Sequence, residues 1–199
     1  MSASLVGSEM CIRDRFKIDK GDHLLDTHTH ILWNIDDGSK NQCMSLQMLE
    51  IAARSGTKAI FATPHVIERA NKPSWEEIKE KTQQLRQLCA EAQIDIMLYP
   101  GAEVQMNWEL LPELGATGAY CLNGGRYLLI ELPAAEIPAY ADEFWYELEL
   151  KGITPILAHP ERYQQLRENP DLLLLWRRRG MLMPVSYTHL RAHETSAHL

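Results

Sequence analysis

Two histidines one residue apart, His28 and His30, and two adjacent aspartates, Asp36 and Asp37, fall within the single stretch "LLDTHTHILWNIDDGSK". In an extended chain, residues two apart point to the same side. The imidazoles of an H-x-H pair can therefore meet one ion while the intervening Thr29 points away. Neutral imidazoles combined with carboxylates suit zinc, manganese or iron, and carboxylates able to bridge suit more than one ion. The turn "NIDDGSK" can fold a carboxylate back over the same face. Further along, His65 closes "KAIFATPH", Glu103 lies at the end of "DIMLYPGAEV" and His159 at the end of "GITPILAHP". Glu131, inside "RYLLIELP", reads as a structural hydrogen-bonding residue rather than a ligand.

Taken singly, these residues have ordinary readings. Asp-Asp-Gly is a common turn, because Asp bonds to its own backbone there, and His65 after Pro64 can simply begin a loop. Their recurrence at the ends of successive apolar runs changes the balance. In a (β/α) barrel the carboxyl ends of parallel strands converge on one face, where residues distant in sequence meet.

The elements that must position them follow from the hydrophobic pattern. Residues 23–28, 58–65, 95–104, 126–133 and 152–160 form five short runs, each close to continuously apolar, as expected of parallel strands covered on both faces. Helical stretches lie between them. Residues 41–56 place Met44, Met48 and Ile51 at helical spacing and end at Gly56; residues 74–92 open with Ser74 and Glu77 in a capping-box pattern; residues 139–152 close on Gly152. Alternation of strand and helix predicts an α/β fold, either a barrel or a doubly wound sheet.

The 199 residues, with 45% hydrophobic and 24% charged, have the profile of a globular chain with one principal domain. A net charge of −7 provides no electrostatic footprint for nucleic acid, and "WRRRG" at 176–180 reads as a helix end, where arginines suit the dipole. No apolar run approaches the roughly 20 residues a membrane-spanning helix needs, and the expected location is cytoplasmic. Cysteines at 11, 43, 89 and 121 show no CxxC pair, which fits reduced thiols. The C-x5-R signature of thiol-dependent tyrosine phosphatases is not met, since only four residues separate Cys121 from Arg126.

Both ends have a different character. Residues 4–15, "SLVGSEMCIRDR", and 185–199, "VSYTHLRAHETSAHL", are similar to translated sequencing adapter. The expectation is therefore an artefact over 1–15, a domain over 16–184 that is incomplete at its C-terminal end, and an artefact over 185–199. Cys11, His189, His193 and His198 are set aside with these ends.

With "DTHTHILWNIDDGSK", "FATPHV", "PGAEV", "LLIELP" and "PILAHPERY" in order, the interior from about 24 to 183 resembles the PHP superfamily of polymerase and histidinol phosphatase domains. Within it, "IDDG" and "AHPER" resemble the manganese-dependent tyrosine-protein phosphatases of bacterial capsular and exopolysaccharide operons. The resemblance implies a distorted (β/α)7 barrel, a centre of three Mn²⁺ ions, and dephosphorylation of a bacterial tyrosine kinase that controls polysaccharide export. It also implies that His28 and His30 bind the first ion, that Asp37 supplies the "IDDG" carboxylate, with Asp36 the alternative if the turn is offset, and that His65, Glu103 and His159 complete the metal ligands. Glu103 would bridge, and Arg162 would be the catalytic group that grips phosphate. Trp33 and Asn34 stand where such sequences carry proline-glycine. The aspartate–histidine motif that ends the family pattern has no counterpart before residue 184, so weak or absent activity is expected of the 199-residue chain. The alternatives are a phosphoesterase of the histidinol-phosphate type and an inactive metal-binding fragment.

Overall fold

The structure, a computed structural model, describes residues 24–115 and 118–183. The readings made on Cys11, His189, His193, His198 and the two ends lie outside these residues. Seven short strands are all parallel: β1 (Leu24–Thr29), β2 (Thr57–Ala62), β3 (His65–Val66), β4 (Met97–Pro100), β5 (Glu103–Gln105), β6 (Tyr127–Glu131) and β7 (Thr154–Leu157). The helices are α1 (Gln42–Arg54), α2 (Trp75–Glu91), α3 (Ala141–Leu150), α4 (Gln164–Glu168) and α5 (Pro170–Arg178). No helix among the described residues is long and apolar enough to cross a membrane.

The strands fall into a three-stranded sheet, β1-β2-β4, and a four-stranded sheet, β3-β5-β6-β7. Two of the runs expected as single strands, 58–65 and 95–104, are thus each broken in the middle. Pro64, without an N–H, cannot donate to a ladder. At Gly101 the chains approach so closely that an added Cβ would lie 2.7 Å from Leu122 Cδ2. Backbone bonds nevertheless cross the breaks, from Thr63 N to Thr29 O (2.9 Å), Gly101 N to Ala62 O (2.9 Å) and Glu103 N to Pro64 O (3.0 Å). The sheet therefore bends without losing its hydrogen bonds, and its strands run side by side in chain order. Beyond α5, Leu182 pairs in parallel with Ile156, continuing the same progression.

Side chains alternate across the sheet with the period of two that a strand imposes. Ile60, Leu128, Ile130 and Leu157 pack with Leu49, Ile78, Leu85, Phe144 and Trp176 of the helices, whereas Phe61, Tyr127, Leu129 and Ile156 form a second apolar cluster with Leu122. Both faces of the central strands are buried, which is why their sequences read as continuous apolar runs. β1 differs: five of its six residues are only partly buried, and among the described residues it pairs with β2 alone.

Two helices start where sequence reading places them. Ser74 Oγ accepts from Glu77 N at 3.1 Å at the head of α2, and Asn41 Oδ1 accepts from Met44 N at 2.9 Å at the head of α1. The buried line of α1 is not the expected one. Ile51 is 64% exposed, while Ser45 and Leu49 are buried. Ser45 Oγ donates to Ile31 O at 2.5 Å and lies 2.8 Å from Ser39 Oγ. A satisfied polar residue thus holds α1 against the loop that follows His30, and this contact turns Ile51 outward.

Candidate metal centre

The bend in the sheet brings the chemistry-bearing strand ends together. His28 lies near the end of β1 and His30 follows it; their Nε2 atoms are 3.2 Å apart, while the intervening Thr29 is held away by a 2.9 Å bond from its N–H to Thr63 Oγ1. Glu103, at the start of β5 and 0% exposed, is the hub. Its Oε2 lies 2.9 Å from His28 Nε2, 3.1 Å from His30 Nε2 and 3.3 Å from His65 Nδ1, and its Oε1 lies 3.5 Å from His159 Nε2. Four imidazoles from three strands therefore surround one carboxylate.

These are contacts of charge rather than of hydrogen bonding. Neither Glu103 oxygen accepts a well-directed hydrogen bond from any described residue, and buried His65 Nδ1 is likewise without one. A buried carboxylate left in that state is costly. Nitrogen and oxygen donors converging on one small volume are what a divalent cation of the manganese or zinc kind requires. Three sets of side chains bring their donor atoms within 4.8 Å of one another: His28, His30 and Glu103; His30, Asp37 and His65; and His65, Glu103 and Glu131.

The two aspartates sit in different surroundings. Asp37 has an 81% exposed side chain, with Oδ1 3.8 Å from His65 Nε2. The Asp36 side chain is 2% exposed; its Oδ2 lies 2.7 Å from His30 Nδ1 and accepts from His65 N at 2.9 Å, and its Oδ1 accepts from Gly38 N at 2.9 Å. The loop reaches this shape through two residues. Asn34 adopts φ 51°, a left-handed conformation that Asn tolerates better than most side chains. Gly38 crosses so near His30 that an added Cβ would lie 2.2 Å from its carbonyl oxygen and 2.5 Å from its Cβ.

Glu131 was legible only in part. Its Oε1 lies 3.4 Å from His65 Nδ1, inside the cluster rather than apart from it. Register is the signal that finds it: Glu103 pairs with Leu129, and Glu131 is the next residue of β6 on the same face. His159 joins the cluster through Glu103, and its ring centroid lies 4.5 Å from that of His28 with the planes tilted by 42°. It holds φ 45°, unusual for a side chain of its size. Arg162 ends the short 3-10 turn Pro160–Arg162 that follows, with an exposed side chain. Tyr163 accepts from Leu132 N at 2.9 Å, tying this turn to the end of β6.

The carboxylates act unequally on the imidazoles around them. Burial opposes a proton on His30, but Asp36 and Glu103 outweigh it and raise its pKa to about 10. Burial likewise works against protonation of His65, yet Glu131 and Glu103 raise it. His159 goes the other way, to about 4, through burial and then the repulsion of His28. Glu103 is held far below the usual carboxylate range: burial works against this, and the neighbouring His28 and His30 prevail. A cation at this position would displace the His30 proton and compensate the same carboxylate. The thiol of Cys121, by contrast, is buried and pushed up to about 12 by desolvation, which rules it out as a nucleophile.

The family described as capsular polysaccharide synthesis, CpsB/CapC, matches residues 24–190 of this chain. Among curated relatives, the tyrosine-protein phosphatase YwqE of Bacillus subtilis is 37% identical over 150 residues, covering 75% of this chain and 59% of its own length. The tyrosine-protein phosphatase CpsB of Streptococcus pneumoniae is 29% identical over 173 residues, covering 87% of this chain and 69% of its own length. A crystal structure from work on YwqE and CpsB, described as unique metal-dependent tyrosine phosphatases, superposes with a TM-score of 0.76 at 35% identity, covering 80% of this chain and 65% of the other. The chain thus spans about 59% of the length of the Bacillus relative.

Proposed function

This chain belongs to the CpsB/CapC family of capsular polysaccharide synthesis, and on that footing we propose that its site hydrolyses phosphotyrosine with divalent metal ions. The observation that carries the reading is buried Glu103, ringed by His28, His30, His65 and His159 and accepting no hydrogen bond from any described residue. His28, His30, Asp37, His65, Glu103 and His159 would hold the ions, with Glu131 beside them. Mn²⁺ is the proposed metal, with three ions in the complete centre. The parallel strands laid side by side in chain order support a distorted (β/α)7 barrel as the complete fold. The proposed substrate is a bacterial tyrosine kinase of polysaccharide export, met in the cytoplasm.

The chemistry divides between the group bound and the residues around it. Bound divalent ions would supply Lewis acidity and a lowered pKa for coordinated water. Arg162, exposed beside His159, would offer a planar pair of donors to phosphoryl oxygens and neutralise charge as it develops there. His159 stays unprotonated at neutral pH, so its nitrogen lone pair is free to coordinate. Asp36 keeps His30 turned with Nε2 inward. Phenolate, with a parent pKa of about 10, leaves without a strong general acid.

The test is turnover of a phosphotyrosine peptide by the metal-stripped protein before and after Mn²⁺ is added, with histidinol phosphate as the competing substrate. Weak hydrolysis of the peptide that returns only with metal is the expected result for the 199-residue chain. No peptide hydrolysis by a chain that still binds Mn²⁺ favours the inactive metal-binding fragment instead, and preference for histidinol phosphate moves the site to the small-molecule branch of the superfamily.

A further inference from the structure

Asp36 is placed to act on two ligand groups at once. The same oxygen, Oδ2, lies 2.7 Å from the side chain of His30 and accepts from the backbone N–H of His65. His30 belongs to the group with His28 and Glu103, His65 to the group with Glu103 and Glu131, and both join Asp37 in the group between them. We propose that Asp36 is a positioning residue that braces two neighbouring metal positions simultaneously, setting the ring orientation of His30 and the backbone position of His65. This rests on the metal-dependent reading above.

The geometry assigns Asp36 to bracing rather than to ligation. A carboxylate has about four lone-pair directions, and three are engaged by His30 Nδ1, His65 N and Gly38 N. Asp36 is also missing from every ligand group found among the described residues, whereas exposed Asp37 is present in one. With Nδ1 of His30 donating to Asp36, the lone pair of Nε2 is left facing His28 and Glu103. A carboxylate behind a metal-binding histidine fixes tautomer and ring angle in this way.

Asparagine has the same shape and the wrong donors. With its oxygen toward His30 and His65, its NH₂ faces the N–H of Gly38. With its NH₂ toward them, it faces the N–H of His65 and forces His30 Nδ1 to accept, which moves the ring proton to the metal side. In the first orientation the repelled Gly38 N–H shifts the loop that carries residue 36 away from both ligands, and in the second both ligands lose their acceptor outright.

The experiment is calorimetric titration of the 199-residue chain and of Asp36→Asn with Mn²⁺, alongside circular dichroism to compare folding. The expected result is an unchanged spectrum with two binding events each weakened about 10-fold to 100-fold. Weakening of one event alone, or of neither, overturns the brace. Should the variant fail to fold, nitrogen NMR of the Zn²⁺-loaded wild-type chain decides instead. A protected proton on His30 Nδ1 with Nε2 coordinated supports the proposal, and coordination through Nδ1 overturns it. Wild-type protein that binds neither ion removes the phosphatase reading and the brace together, whereas normal binding by both proteins removes the brace alone.

Discussion

His28 Nε2 stands 2.9 Å from Glu103 Oε2, although one residue lies near the end of β1 and the other opens β5. The contact exists because β2 and β4 give way to β3 and β5 at Pro64 and Gly101, so that the second sheet carries Glu103 beneath the end of the first. Everything proposed for the site depends on that approach.

Replacement of Glu103 by glutamine keeps the volume and removes the charge that faces all four imidazoles. Metal affinity is expected to fall by at least about 100-fold, since the loss exceeds the 10-fold to 100-fold cost of disturbing an outer partner of a ligand. Calorimetric titration with Mn²⁺ checks this, and retention of wild-type affinity would show that the hub is not a ligand.

Gly38→Ala tests the loop that folds back over His30. The added Cβ would lie 2.2 Å from the His30 carbonyl oxygen, a backbone atom that cannot swing aside. A loss of about 1–3 kcal/mol in unfolding free energy is expected, as for other overpacked sites. Urea denaturation measures it, and wild-type stability would mean that the turn relaxes freely.

Without metal, stability should peak near the ordinary histidine pKa of 6.5 and decline on both sides. The raised value of His30, about 10, means that the folded state binds the extra proton between 6.5 and 10, so its contribution is complete below 6.5 and is lost as pH rises through that window. The depressed value of His159, about 4, means that the unfolded state binds the extra proton between 4 and 6.5, so that contribution is lost as pH falls. Each of these two histidines contributes a limiting slope of about 1.4 kcal/mol per pH unit, and the raised His65 adds to the alkaline limb. Denaturant titrations in chelator across this range test the shape; His30→Gln should flatten the alkaline limb and His159→Gln the acid limb.

Arg162→Ala should leave metal binding intact and lower phosphotyrosine turnover by about 100-fold to 1,000-fold, the usual effect of removing one charge-stabilising donor. Steady-state kinetics at saturating Mn²⁺ provide the comparison. Unchanged kcat and KM would place the phosphate elsewhere.

Cys121→Ala should leave turnover unchanged, because the thiol is buried and its pKa lies near 12. Loss of activity in a folded variant would reopen a thiol mechanism.

Much of this molecule is written locally in its sequence. The caps at Ser74 and Asn41, the apolar runs and the placing of His28, His30, His65, Glu103 and His159 towards the ends of those runs depend on neighbours a few residues away, and local physics suffices to read them. Contacts between distant segments decided the rest. Splitting of two runs at Pro64 and Gly101 required the approach of Leu122 and the bonds from Thr63 and Gly101 to neighbouring strands. Ile51 turned outward because Ser45 found Ile31 O. Glu131 entered the cluster through its register with Glu103, and the different surroundings of Asp36 and Asp37 came from the N–H of His65, far away in the chain. Residue types and their spacing determined which atoms could bind metal; only the tertiary fold decided which of them face one another, because a carboxylate's role is set by the donors that reach it.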